Sequence, residues 1–136
     1  MRFIATHCYD ESLGVIVTEA SGLAEPGDIL ALYNKLHCLS GRYHCRKALV
    51  DLRKVSLSYD SASVLYTLDR LEPLLCNLQI ARVVEDLDTR QQLIQEYADK
   101  QKLLMRNFFD RQTALDWLKT SLDGTRLQAG LATMSG

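Results

Sequence analysis

The sequence predicts an α/β fold: a single open, mostly parallel sheet with an N-terminal hairpin and helices on its faces. Two observations predict it. After the first 20 residues, short apolar runs of strand length alternate with segments in which apolar residues recur every three or four positions. Strands that alternate with single helices favour parallel pairing through right-handed crossovers. The length of 136 residues fits one ordinary domain.

The predicted order of elements is β-β-α-β-α-β-α-β-α. In chain order, the strands cover residues 2–9, 13–20, 47–52, 78–84 and 102–108, and the helices cover residues 26–39, 60–73, 88–97 and 110–122. Residues 1–122 are expected to form the domain. Residues 123–136 have little apolar side chain to bury and are expected to form a flexible tail.

Local signals support the elements of the first half. Residues 10–12 are turn formers, which predicts a hairpin between the first two strands. Pro26 suits the first turn of a helix, and Gly41 is expected to end that helix. Residues 47–52 have the length and the apolar composition of a buried strand.

Capping residues mark the helices of the second half. Ser58 or Asp60 is expected to cap the second helix, in which Pro73 marks the last turn or a kink. Asp88 is placed to cap the third helix, and Asp110 to cap the fourth. The apolar runs between these helices have strand character.

Composition and charge exclude several classes of function. Sixteen Lys and Arg against seventeen Asp and Glu give a net charge of -1, which supplies no electrostatic reason to bind nucleic acid. No apolar run reaches the roughly 18 residues of a membrane span, and the N-terminus lacks a signal-peptide core, so we expect a cytoplasmic protein without membrane insertion. Glycine-rich nucleotide motifs and hydrolase motifs are absent, so neither a cofactor nor catalytic residues are expected.

The four cysteines are expected to be reduced thiols, because a chain with this apolar content needs no disulfide staples. His37 with Cys38, and His44 with Cys45, supply ligand types that Zn²⁺ prefers. Their spacing matches no zinc motif, and adjacent side chains rarely converge on one ion. Packing at a helix end is therefore the preferred interpretation, and a metal site is a weak candidate.

Three stretches in this order of elements resemble a known family. Residues 48–53 form an apolar run that ends in Asp-Leu-Arg, residues 80–84 form the next strand, and residues 108–118 form a strand-to-helix junction. In combination they resemble the STAS-like domains, which have the anti-sigma-factor-antagonist fold, and in particular their uncharacterised bacterial relatives. The resemblance covers about residues 2–120 and implies the same fold.

The resemblance also implies a docking site. In the family's signalling members, the loop after the central strand presents a serine whose phosphorylation controls docking to a partner. Here that loop and the following helix start contain Ser56, Ser58, Asp60 and Ser61, without the Ser-Gly pair of the signalling members. These residues are the candidate docking or phospho-acceptor site, and a helix cap with solvated neighbours is the alternative interpretation.

Charged residues near strand ends define a second candidate site. Asp51 and Asp86 lie at the ends of two predicted parallel strands, and Arg82 lies in the second strand. These three residues are expected to share the edge of the sheet where ligands of open parallel folds often bind. Solvated surface charge is the alternative explanation.

Two functions are compatible with the sequence. The first is a non-enzymatic, cytosolic regulatory module that docks a protein partner through the loop and helix after the central strand. The second is a carrier of a small apolar ligand in a cleft between helices and sheet, because the STAS-like fold is similar to the lipid-carrying CRAL-TRIO fold. A carrier needs an internal pocket of roughly several hundred cubic ångströms. A homodimer is also expected, since an open sheet has edge strands.

Overall fold

The computed structural model describes residues 2–85 and 89–120. Within them the elements follow the predicted order, so the α/β fold class is confirmed. They are β1 (Ile4–Asp10), β2 (Val15–Ala24), α1 (Pro26–Tyr43), β3 (Lys47–Leu57), α2 (Ser61–Leu75), β4 (Gln79–Val83), α3 (Thr89–Lys100), β5 (Leu104–Phe108) and α4 (Arg111–Lys119). The predicted tail and the predicted Asp88 cap lie outside the described residues.

The five strands form one sheet in the order β1-β2-β3-β4-β5. β1 pairs antiparallel with β2, which confirms the hairpin, and every other neighbouring pair is parallel. Each β-α-β crossover joins adjacent strands, so the chain builds the sheet from one edge to the other. β1 and β5 are therefore the two edge strands.

Alternation along the strands gives the sheet two apolar faces. On one face, Ile16, Val50 and Ile80 pack with the buried residues of α1, α2 and α3. On the other face, Leu49 and Val83 pack with α4. We call these the three-helix face and the α4 face.

The α4 face is only partly covered. α4 packs mainly on β3, β4 and β5. On the uncovered part, Ile4 of β1 is 57% exposed and Leu23 of β2 is 47% exposed. The sheet therefore presents an open surface toward its β1 edge.

The central strand is longer than predicted. β3 continues to Leu57 instead of ending at residue 52, and a register shift opposite Glu19 and Ser21 lets it follow β2 to that point. Its additional part includes Arg53 and Lys54, which are exposed. Charged residues are tolerated there because the uncovered part of the α4 face meets water.

The helix ends follow the capping predictions with one exception. Asp60 accepts a hydrogen bond from Ser63 N (2.9 Å) and Asp110 accepts one from Thr113 N (2.8 Å), so both caps are confirmed. α1 does not end at Gly41. It ends at Tyr43, because the left-handed residue His44 (φ 52°) closes the last turn by donating its N–H to a carbonyl of that turn.

Candidate functional site

Three of the four predicted docking residues lie together at the start of α2. Ser58, Asp60 and Ser61 are all exposed. The Asp60 carboxylate accepts the N–H of Ser63, and this hydrogen bond holds the pKa of the Asp60 carboxyl below its usual value. The helix start is therefore fixed by its cap, while both serine hydroxyls face solvent.

The fourth residue, Ser56, was wrongly placed in the loop. It lies within β3 and pairs in register with Leu23. Its neighbours Val55 and Leu57 pack against the core of the three-helix face, so Ser56 points to the α4 face. The sheet thus separates Ser56 from the other three residues.

The loop between β3 and α2 is anchored by backbone contacts. Ser58 N donates to Ala24 O at 2.9 Å. Arg90 of α3 donates from Nη1 to Leu57 O and to Tyr59 O, each at 2.9 Å. Arg90 was not among the predicted site residues, because nothing in the sequence spacing indicates that α3 reaches this loop.

Two large apolar side chains are exposed immediately after the loop. Leu65 is 39% exposed and Tyr66 is 65% exposed, both on the outer side of α2. A groove of about 390 Å³ runs beside Leu65 between α2 and α3. We define the docking surface as the set Ser58, Asp60, Ser61, Leu65 and Tyr66.

The predicted ligand edge does not form. Asp51 lies between Val50 and Leu52, which both face the three helices, so its own side chain faces α4. Arg82 lies between Ile80 and Val84 and is on the three-helix face. Asp86 lies outside the described residues. Asp51 and Arg82 are thus on opposite faces of the sheet and share no site.

Asp51 belongs to a cluster of charges on the α4 face. Arg53 donates two hydrogen bonds to the Asp51 carboxylate, from Nη2 to Oδ2 at 2.7 Å and from Nε to Oδ1 at 3.1 Å. Hydrogen bonding by Arg53 keeps the pKa of Asp51 below its usual value. Arg111 pairs with Glu19 at 3.2 Å in the same cleft, which measures about 560 Å³. These pairs explain the cluster as mutually compensated surface charge.

Arg82 is the centre of a buried polar network that the sequence did not indicate. It is 4% exposed, and donates from Nη1 to Asn107 Oδ1 and from Nη2 to Gln91 Oε1, each at 2.8 Å. Its Nε is buried and has no partner within residues 2–85 and 89–120. Asn107 Nδ2 in turn donates to Gln91 O at 2.9 Å. The network ties β4 and β5 to α3.

The interior between the sheet and α1, α2 and α3 is well filled. Its cavity measures about 30 Å³ and is lined by apolar residues together with Tyr33, Tyr59, Thr67, Arg82 and Gln91. A volume of this size suits about one water molecule. Burial raises the pKa of Tyr59, at the rim of this space, to about 12.

The weak metal candidate is not supported. Cys45 is buried and its Sγ donates to Gly14 O (3.3 Å) and Lys47 O (3.4 Å), whereas Cys38 is exposed. In the described part of the chain, no three His, Cys, Asp or Glu side chains gather in a way that could hold a metal ion. Cys45 thus has the packing role that the sequence favoured.

Comparison with known proteins shows the fold. The chain is similar to an uncharacterized protein from the DUF3478 family with a SpoIIAA-like fold, from Shewanella loihica PV-4, with a TM-score of 0.53 and 18% sequence identity. The likeness covers 85% of this chain and 93% of that chain. It confirms the predicted STAS-like fold. Protein-family models and curated proteins gave no match.

Proteins of this fold class are defined by the sheet and its crossovers, and the fold alone assigns no activity. Among the helices of the described residues, none is both long and apolar enough to cross a membrane.

Proposed function

We propose that this protein is a non-enzymatic, cytoplasmic regulatory module that binds a protein partner through the docking surface. The observation that carries the proposal is the combination of a fixed loop with exposed apolar side chains. Arg90 holds the carbonyls on both sides of Ser58, and Leu65 and Tyr66 are exposed one to two helical turns further on.

Preorganisation supports binding at this surface. A loop that is already ordered loses little conformational entropy when a partner binds. Aromatic residues such as Tyr66 are enriched at interfaces because they bury a large area with few rotatable bonds. The groove beside Leu65 can accommodate an apolar side chain of the partner.

Phosphorylation of Ser58 is the proposed means of regulation. Ser58 is exposed, and the Arg90 guanidinium contacts the carbonyls of both its neighbours. A phosphate there adds about two negative charges next to a cation and near the start of α2, which alters the docking surface. Ser61 is less suited because the Asp60 carboxylate beside it repels a second anion.

Site-specific photocrosslinking tests the proposal. A benzophenone amino acid replaces Tyr66 in cells, and a second chain carries it at Phe109, which is 56% exposed, directly follows β5 and is not part of the docking surface. We expect a discrete crosslink to one protein from position 66 and none from position 109. Excess wild-type chain should suppress the crosslink, whereas excess Leu65→Asp chain should not.

Three outcomes contradict the proposal. They are no crosslink from position 66, the same crosslinks from both positions, and equal competition by the wild-type and Leu65→Asp chains. A Ser58→Glu chain that competes as well as the wild type contradicts the regulatory part alone.

A carrier function has less support. The internal cavity of about 30 Å³ is about a tenth of the smallest usual ligand pocket, roughly 300 Å³. The larger groove, about 630 Å³, lies on the surface along β5, and its lining mixes polar residues such as Gln92 and Asp99 with apolar residues such as Leu104 and Trp117. A surface groove of this kind does not enclose a ligand in the way that a carrier's pocket does.

A further inference from the structure

The two edges of the sheet differ in how they are protected. On β5, the Gln95 side chain of α3 acts as a substitute strand: its Nε2 donates to Met105 O at 3.2 Å, and its Oε1 accepts from Asn107 N at 2.7 Å. Two outward backbone groups of that edge, Met105 O and Asn107 N, are therefore occupied. Covering an edge in this way prevents its pairing with another chain.

β1 has no such protection within the described residues. It is the outermost strand at the opposite end of the sheet, and residues 4–9 contain no Lys, Arg, Asp, Glu or Pro. His7 is hydrogen-bonded to Thr18 (2.7 Å), and burial together with Lys35 lowers its pKa, so it is neutral at pH 7. An edge strand whose first six residues carry no charge is a template for pairing.

We propose that β1 pairs, antiparallel, with β1 of a second copy, in the register that places Thr6 opposite Thr6. In this register residue numbers of opposed pairs add up to twelve, so a two-fold axis passes beside Thr6. The two five-stranded sheets then join into one. This inference does not depend on the proposed function, since the docking surface lies on α2.

The charges at the two ends of β1 select this register. Arg2, two residues before β1, forms an isolated parallel bridge with Leu23 beside the antiparallel ladder, and Asp10 ends the strand. Asp10 is on the same face of the strand as Thr6. In the proposed register Asp10 of the second copy lies beyond Ile4, on the side where Arg2 precedes the strand, at both ends of the interface.

The side chains between these charges are also complementary. Ile4, which is 57% exposed, lies opposite Cys8 of the second copy, and Phe3 lies opposite Tyr9. Cross-strand aromatic pairs and opposite charges stabilise a sheet, whereas like charges placed opposite each other destabilise it. Asp10 uses Oδ1 for Ser12 Oγ (2.6 Å) and Leu13 N (3.2 Å), which leaves its Oδ2 for the arginine.

Charge substitutions at Thr6 test the register. We expect the wild-type chain to be a dimer in sedimentation velocity experiments. Thr6→Lys and Thr6→Glu each place two like charges across the axis and should raise the dimer dissociation constant on the order of tenfold or more. Mixing the two variants should restore a dimer with one lysine facing one glutamate. Circular dichroism checks that each variant is folded. The matched control is Ser56→Lys, which adds a charge on the same face but on the inner strand β3. It should leave the dimer unchanged.

A disulfide provides a second measurement that does not depend on charge. In Ile4→Cys, the new thiol lies opposite Cys8 of the second copy, whereas positions 4 and 8 of one strand are too far apart to bond. Mild oxidation should give a covalent dimer, and adding Cys8→Ser should abolish it. A monomeric wild-type chain, a dimer that survives both Thr6 variants, or failure of both the mixing and the disulfide experiment overturns the proposal.

Discussion

Arg82 carries a positive charge into the core, where its donors meet two neutral acceptors, Asn107 Oδ1 and Gln91 Oε1. Replacing the side chain with a hydrophobic one of similar length leaves those acceptors without donors. An unsatisfied buried acceptor costs about 1–3 kcal/mol. The stability of the layer formed by β4, β5 and α3 therefore depends on this residue.

Arg82→Met is expected to lower the free energy of unfolding by about 1–3 kcal/mol, measured by urea denaturation. Removal of the buried charge offsets part of the loss, which keeps the effect below that of two fully unsatisfied acceptors. The matched control is Arg106→Met on β5, whose guanidinium is exposed and lies 5.8 Å from the Phe108 ring centroid. It should cost less than about 1 kcal/mol. An equal loss of unfolding free energy in the two variants would show that the Arg82 network adds nothing to stability.

Gly22 joins β2 to the start of the chain. Its φ is +100°, and a Cβ at this position would lie 2.2 Å from Arg2 O. Gly22→Ala should cost about 1–3 kcal/mol from backbone strain, and also displace Arg2. Gly41→Ala is the control, because the added methyl group meets no atom within 4 Å inside α1 and should stabilise by about 0.5–1 kcal/mol. Thermal unfolding of both chains checks that the two substitutions change the stability in opposite directions.

At the scale of the element, sequence reasoning placed every helix and strand but misjudged some ends. The end of β3 was missed because Arg53 and Lys54 read as a loop, although a strand that meets water on one face accepts such residues. The end of α1 was missed because Gly41 is tolerated in an exposed last turn, and His44 supplies the left-handed conformation instead. Local composition predicts which element forms; tertiary surroundings decide where it stops.

The Gln95 side chain on the polar face of α3 has a structural role, because it binds the backbone of β5. Gln95→Ala keeps the helix propensity of α3 but removes both hydrogen bonds to the edge of β5. The Asn107 amide should then exchange with deuterium on the order of tenfold faster, since about 1.4 kcal/mol of protection is lost. Gln92→Ala, an exposed neighbour on the same helix, should leave that amide unchanged. Equal exchange in both variants would contradict the capping role of Gln95.

For the whole molecule, the order of strands was accessible from the sequence, but the register was not. Asp51 and Arg82 both lie near strand ends, and sequence spacing alone suggested a shared edge. The register pairs Val50 with Arg82, which puts Asp51 one residue out of phase and on the other face. A shift of one residue reverses the face of every side chain, so residues on different strands cannot be combined into a site before the register is known.

Ionisation of tyrosines should limit the stability of the whole molecule at high pH. Burial raises the pKa of Tyr59 to about 12, and burial with the hydrogen bond to Asp69 raises the pKa of Tyr97 to about 12. Because the pKa of each tyrosine in the folded protein exceeds its ordinary value of 10.0, the contribution of both to the free energy of unfolding is fully present below pH 10 and is lost as the pH rises toward 12. Both residues lie among the packed helices of the three-helix face, so their ionisation should loosen that layer as a unit.

We therefore expect the urea midpoint of the wild-type chain to fall between about pH 10 and about pH 12, and to fall less steeply in Tyr59→Phe and Tyr97→Phe. Tyr66→Phe controls for the loss of one exposed hydroxyl, and its profile should follow the wild type. Tyrosinate absorbance recorded along the same titration should show two groups ionising late and together with unfolding. If Tyr59→Phe and Tyr97→Phe both keep the wild-type slope, alkaline unfolding does not originate from these two tyrosines.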